Sequence, residues 1–176
     1  MYKRKYKTPA GFSNMLMASD GEYLTNLCFI GSKDETNLDL SGVEKELPIF
    51  QETSRWLDIY FGGREPDFIP KYKLKSLTPF RAQVSAIMAE ISFGKLTTYQ
   101  KIAMKIAMQN GLRKMSAQAV GGAVGWNPLC LIIPCHRVVG SDGSLTGYGG
   151  GLSNKIALLK NEGIKVNELK CIMEGV

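Results

Sequence analysis

A single histidine, His136, serves the whole chain, and none of the four cysteines (Cys28, Cys130, Cys135 and Cys171) stands in a CxxC pair. A tetrahedral zinc site would need nearly all of these residues to converge from scattered positions, so no metal is expected. Four cysteines in 176 residues are also too few for a disulfide framework. Reduced thiols in a cytoplasmic compartment are expected instead. Long apolar runs are missing too. The most apolar stretch, 117–134, is broken by Gly121, Gly122, Gly125, Asn127 and Pro128, so neither a transmembrane helix nor a membrane partner is expected. The basic N-terminus (Lys3, Arg4, Lys5, Lys7) runs into Thr8, Pro9 and Gly11 rather than an apolar segment, which argues against a secretory signal.

Hydrophobic residues make up 44% and charged residues 22% of the chain, a balance that excludes disorder. The length allows one domain or two small ones. The net charge of +6 suits a polyanion such as nucleic acid, but it equally suits plain solubility and decides nothing alone.

Residues 1 to about 50 have strand and turn character. Two apolar runs, 12–18 and 23–30, flank Asp20-Gly21 and predict a hairpin. The polar stretch 31–37 predicts a loop. Phe50, Ser54, Leu57 and Phe61 share a helical face ending at Gly62-Gly63. The segment 62–75, with Pro66, Pro70 and three lysines, reads either as a linker between two domains, 1–74 and 75–176, or as a surface loop within one. Three short helices follow. Thr78 caps the first, with Phe80, Val84, Ile87, Met88 and Ile91 inward. Thr98 caps the second, with Ile102, Ala103, Ile106 and Ala107 inward. Ser116 caps the third, a run of small residues from Ala117 to Val124. Their tight connections suggest a helix-turn-helix, a pattern many small helical domains share. A buried run, 129–133, then delivers Cys135. A glycine-rich loop spans 140–151, and the last helix, 153–161, is expected to point Ile156 and Leu159 inward.

Only a thiolate attacks carbon, and an ordinary cysteine is mostly protonated at neutral pH. In Pro134-Cys135-His136-Arg137-Val138 an imidazole follows the thiol directly. On an extended strand the two would face opposite ways, so proton transfer needs a bridging water or a turned backbone. On the adjacency alone, a buried inert thiol beside a core histidine is the favoured reading.

The wider pattern separates these readings. The motif around Cys135 resembles the active-site signature of the O6-alkylguanine-DNA alkyltransferases. The similarity continues through Gly94-Lys95-Leu96-Thr97-Thr98-Tyr99, Ala119-Val120-Gly121-Gly122-Ala123, Asn127-Pro128, Gly147-Tyr148-Gly149-Gly150-Gly151 and Leu158-Leu159-Lys160-Asn161-Glu162-Gly163. Order and spacing agree over about 78–163. Residues 1–74 are more loosely similar, through Thr8-Pro9-Ala10-Gly11 and Ser19-Asp20-Gly21.

The resemblance implies an α/β (α+β) fold: a small N-terminal α/β domain like ribonuclease H, then a helical domain like a winged helix-turn-helix. It implies stoichiometric transfer of an alkyl group from O6-methylguanine in double-stranded DNA to Cys135, with O4-methylthymine a second candidate substrate and no cofactor. His136 would be the water-mediated base and Glu162 its anchor. Asn127 would brace the cysteine turn, and Tyr99 would donate to guanine N3. The carbonyls of Cys135 and Val138 would accept from the exocyclic amine, backbone N–H groups near Gly149 would face O6, and Tyr148 would line the pocket. Gln118, Ala119 and Gly122 would lie on the DNA, although a tightly packed core helix explains the same small residues. Arg113, Lys114 and Arg137 are candidate phosphate contacts, and equally plain solubilising charges. Gln118 stands where many members carry arginine, which predicts weaker duplex affinity. A lesion-binding module without transfer is the alternative, opposed by the presence of Cys135. A monomer is the working expectation.

Overall fold

The computed structural model describes residues 1–36 and 42–169. The expected hairpin is present as β2 (Met15–Ser19) and β3 (Leu24–Phe29), with Asp20 Oδ1 accepting from the Tyr23 amide at 2.9 Å inside the turn. The basic N-terminus, which the sequence placed in a region of strand and turn character without assigning it an element, is a strand, β1 (Tyr2–Tyr6). It pairs antiparallel with β2 and parallel with the short β4 (Val43–Glu44), giving the order β3-β2-β1-β4. Every residue of β2 is buried. The polar stretch expected as a loop holds one helical turn, α1 (Lys33–Thr36); its last residue, Asn37, lies outside the described residues.

The helix α2 (Pro48–Phe61) starts on a proline, whose missing N–H costs nothing at a helix start. Its buried face differs from the expected stripe. Ser54 is only half-buried, and the face is built on Ile49, Phe50, Thr53, Trp56, Leu57, Tyr60 and Phe61. Aromatic side chains set this face, because they bury far more area than a serine. Beyond α2, the chain runs along β3: the Leu24 amide donates to Lys71 O and the Lys73 amide to Leu24 O, both at 2.9 Å.

All three expected caps form. Thr78, Thr98 and Ser116 accept from the amides of Arg81, Lys101 and Ala119 at 3.1 to 3.3 Å, opening α3 (Pro79–Ala89), α4 (Tyr99–Gln109) and α5 (Ala117–Gly125). Each such cap contributes about 1 kcal/mol. A two-residue strand, β5 (Thr97–Thr98), pairs parallel with β6 (Val138–Val139), which holds the start of α4 beside the cysteine segment. The last helix, α6 (Leu152–Asn161), buries Asn154, Lys155, Leu158 and Leu159; Ile156, expected inward, is only half-buried. The main apolar core is continuous from Met15 and Phe29 through Leu57 and Val84 to Ile133 and Leu158. No described helix is long and apolar enough to cross a membrane.

Candidate active site

The run 129–133 is a buried turn rather than a strand. Its entry is stitched to β3: the Leu27 amide donates to Pro128 O at 2.8 Å, and the Cys130 amide to Leu27 O at 2.9 Å. Leu131 adopts φ +69°, a left-handed conformation that costs a non-glycine residue and that the surrounding bonds must hold. Asn127 supplies much of that hold. Its Nδ2 donates to Ile133 O at 2.7 Å, its Oδ1 accepts from the Leu129 amide at 3.1 Å, and Nδ2 also lies 3.1 Å from Cys135 Sγ. One side chain braces the turn and touches the sulphur.

Cys135 opens a 3-10 turn, Cys135–Arg137, which supplies the turned backbone that the adjacency of thiol and imidazole required. Its thiol is held below the ordinary range. A hydrogen bond from the Cys130 thiol, the Asn127 amide and the Lys155 charge together outweigh burial and the Asp34 carboxylate. Cys130 is thus one of the groups that act on the Cys135 thiol, and its own thiol donates to Asp34 Oδ2 at 3.3 Å. Cys28 is a plain buried thiol, raised to about 12 by burial and by the charges of Glu35 and Asp34. Cys171 lies outside the described residues.

His136 is fully buried. Its Nε2 lies 2.7 Å from Glu162 Oε1 and 3.2 Å from the Tyr60 hydroxyl, while Nδ1 has no partner among the described residues. Burial lowers the imidazole's pKa against the pull of Glu162, so the ring is neutral at pH 7. Burial alone would raise the Glu162 carboxyl; the donors of His136 and Arg137 reverse this and hold it at about 2. The Gly94 amide adds a 2.9 Å bond to Glu162 Oε2. A neutral imidazole that donates a hydrogen bond from Nε2–H to a fixed carboxylate leaves Nδ1 as a base.

Arg137 is placed differently from its expectation at a phosphate. It is 7% exposed, donates from Nε and Nη2 to Glu162 at 2.9 to 3.1 Å and from Nη1 to Ile91 O at 2.5 Å. A guanidinium committed to a buried carboxylate cannot also serve a phosphate at the surface. Arg113 and Lys114 are exposed.

Lys155 is almost fully buried and donates to Val138 O at 2.7 Å and Thr146 O at 3.3 Å. Burial lowers it to about 8, opposed by Cys135. Tyr148 has a buried hydroxyl without a hydrogen-bond partner of good geometry among the described residues, and burial and the nearby thiols and Asp34 raise it. Gly149 accepts from the Lys33 amide at 3.1 Å, and any side chain there would overlap the Asp34 carboxylate, so α1 lies directly on the glycine-rich loop. Tyr99 donates to Thr146 O at 3.0 Å and is raised to about 12 by burial and by Cys135.

Tyr99 also lines a cleft of about 970 Å³, together with Lys114, Gln118, Gly121 and Gly147. Along that side α5 buries only Val120, Ala123 and Val124, leaving Gln118, Ala119 and Gly122 exposed. The small residues therefore form an outer surface as well as a packing face. Trp126 packs under Arg81, whose guanidinium lies 4.6 Å from the ring centre.

The sequence reading missed Tyr60, Lys155, Cys130, Asp34 and Gly94. The only local signal was Lys155, a lysine whose helical neighbours at i+3 and i+4 are Leu158 and Leu159. Tyr60 and Asp34 become site residues through contacts across 76 residues or more, Gly94 through a backbone amide that no side-chain pattern announces, and Cys130 through the buried turn that folds it back toward Cys135.

The match to known proteins covers both halves. Residues 79–164 match the family model described as the DNA-binding domain of 6-O-methylguanine DNA methyltransferase. The chain is 38% identical to a methylated-DNA–protein-cysteine methyltransferase of Haemophilus influenzae, over 93% of this chain and 87% of the relative. It is likewise 38% identical to a protein of the same name from Methanosarcina acetivorans, over 93% and 99%. The crystal structure of Mycobacterium tuberculosis OGT in complex with DNA superposes with a TM-score of 0.78 at 30% identity, covering 96% of this chain and 98% of that one. The mixed α+β fold is thus that of these proteins.

Proposed function

The chain belongs to the methylated-DNA–protein-cysteine methyltransferase family, and we infer that it repairs DNA by moving the methyl group of O6-methylguanine onto its own Cys135. The observation that carries the residue assignment is the convergence on one buried turn of Asn127 at the Cys135 sulphur and of Glu162 at the Nε2 of His136.

The proposed chemistry follows from this geometry. His136 Nδ1 takes the thiol proton, through a bridging water. The thiolate attacks the methyl carbon in line with the C–O bond, so that S–C forms as C–O breaks and the electron pair passes to the base. Guanine leaves poorly as a bare anion, so donors preorganised toward it lower the barrier. Tyr99 is assigned to N3, the Gly149 backbone to O6, and the Val138 and Cys135 carbonyls to the exocyclic amine. In sum the thiol exchanges its proton for a methyl and guanine regains one proton. The thioether is a poor leaving group, so each chain acts once.

The target base must leave the stack to reach a sulphur this buried. The exposed small-residue face of α5, with Gln118, Ala119 and Gly122, is assigned to the groove, and Arg113 and Lys114 to phosphates. We assign residues 1–74 to an N-terminal domain like ribonuclease H, and 75–176 to a domain like a winged helix-turn-helix. We further propose that the protein acts as a cytoplasmic monomer on alkylated duplex DNA.

The test is an intact mass after incubation with a methyl-labelled O6-methylguanine duplex. One methyl per chain is expected, and none in Cys135→Ala. Binding without mass gain would instead indicate a lesion-binding module, and turnover beyond one equivalent would contradict the single-use chemistry.

A further inference from the structure

Tyr60 sits on α2, 76 residues before His136, and the chemistry above gives it no part. Its hydroxyl nonetheless donates to Glu162 Oε1 at 2.7 Å, and its oxygen lies 3.2 Å from His136 Nε2. The ring is held from several sides. It stacks on Trp56 at 5.4 Å between centroids and 6° between planes, and meets Phe61, Phe93 and the His136 ring edge-on. Its backbone carbonyl accepts from Asn161 Nδ2 at 2.8 Å, next to Glu162 in the chain. A phenylalanine would fill the same space without taking a hydroxyl out of water.

We propose that Tyr60 is a positioning residue for the Cys135 reaction: its hydroxyl, delivered from the N-terminal half, fixes the proton of His136 on Nε2 and keeps the imidazole neutral, leaving Nδ1 as the base. A phenol has one proton, and here Glu162 Oε1 takes it. The oxygen that faces Nε2 is therefore an acceptor. Nε2 meets two acceptors, Tyr60 O and Glu162 Oε1, and must carry the hydrogen. The other tautomer would aim a bare lone pair at a carboxylate. Donation by Tyr60 also draws charge from Glu162 Oε1, which weakens the carboxylate's hold on an imidazolium. The charged groups facing His136 are Glu162, which favours its protonation, and Arg137 and Lys155, which oppose it. Burial still lowers the imidazole without the Tyr60 hydroxyl, but the pull of Glu162 on it is then stronger, and less of the ring is available as a base.

This inference rests on the assignment of Cys135 and His136 above, and its test reads the imidazole itself. His136 is the only histidine, so the full chain labelled with ¹⁵N-histidine gives one imidazole signal set. The wild type is expected as the Nε2–H tautomer. In Tyr60→Phe the titration midpoint of His136 should rise by about one pH unit. The acid limb of the methyl-transfer pH profile should rise with it, and transfer at high pH should approach wild type. A purely packing role would lower transfer by one factor at every pH and leave the titration in place. An unmoved titration in folded Tyr60→Phe, or an Nδ1–H tautomer in the wild type, overturns the proposal. Should Tyr60→Phe not fold, uniform 3-fluorotyrosine labelling strengthens the donor and should lower the midpoint; an unmoved or raised midpoint counts against it. A chain that accepts no methyl while its His136 signal behaves as expected would sink the proposed function and leave the proton's placement standing.

Discussion

The ammonium of Lys155, 1% exposed, donates to the backbone carbonyl of Val138 at 2.7 Å. The position assigned to grip the exocyclic amine of guanine is thus itself held by a buried cation. Burial lowers this lysine from 10.5 to about 8, so the folded chain releases the proton before the unfolded chain does. The unfolded state binds more protons between those values, and stability must rise with pH across that window. Relative to Lys155→Met, the wild type should gain about 3 kcal/mol between pH 8 and pH 10.5, read from urea unfolding. A difference that stays flat contradicts the assignment.

Glu162 has the opposite sign. Its folded pKa of about 2 lies below the ordinary 4.5. The resulting stability is complete above pH 4.5 and lost as pH falls toward 2. Glu162→Gln should cost roughly 2 kcal/mol at pH 7, with the gap to wild type closing below pH 3. Thermal melts at pH 7, 4 and 3 follow the convergence.

Arg137 and the pair Arg113 and Lys114 should separate in a salt titration. Arg113→Ala and Lys114→Ala should each lower the slope of log affinity against log salt by about 0.9. Arg137→Lys should leave the slope alone and destabilise the fold by roughly 3 kcal/mol, because a lysine cannot reproduce the fork on Glu162. A reduced slope in Arg137→Lys would return that residue to the phosphates.

Gly122 has nothing within 4 Å of where a Cβ would stand. Gly122→Ala should therefore stabilise α5 by roughly 0.5 to 1 kcal/mol, the usual helical advantage of alanine. It should also weaken duplex binding several-fold if the backbone there must approach DNA closely. A variant that is more stable and binds as well as wild type would remove Gly122 from the interface.

Gln118 is exposed at the cleft, uncharged and short. Gln118→Arg should raise duplex affinity at low salt and steepen the salt slope by about one. Equal affinity of the two proteins across the titration would refute the idea that this position limits binding.

The elements that could be read from the chain were those whose stabilising contacts are local. Thr78, Thr98 and Ser116 each accept from an amide three residues on, so a short window contains the whole interaction. The Asp20 turn is equally self-contained. The α2 face was misjudged at Ser54 because helical spacing alone does not weigh Trp56 and Tyr60 against a small polar residue. β1 was not singled out because Tyr2-Lys3-Arg4-Lys5-Tyr6 carries no buried apolar face of its own; its pairing with β2 defines it.

The sequence by itself determined the order and spacing of Asn127, Cys135, His136 and Glu162, the residues assigned above to the reaction, because they stand in one recognisable pattern. Tertiary structure alone decided where the charges and polar tips went. It turned Arg137 inward to Glu162, buried Lys155 under Val138, and brought Tyr60 and Asp34 from the other half of the chain to the imidazole and to the thiols. The physical reason is range. A cap or turn is settled by neighbours a few residues away, whereas the protonation of a buried group is settled by whichever distant donors the packing of the whole core delivers to it.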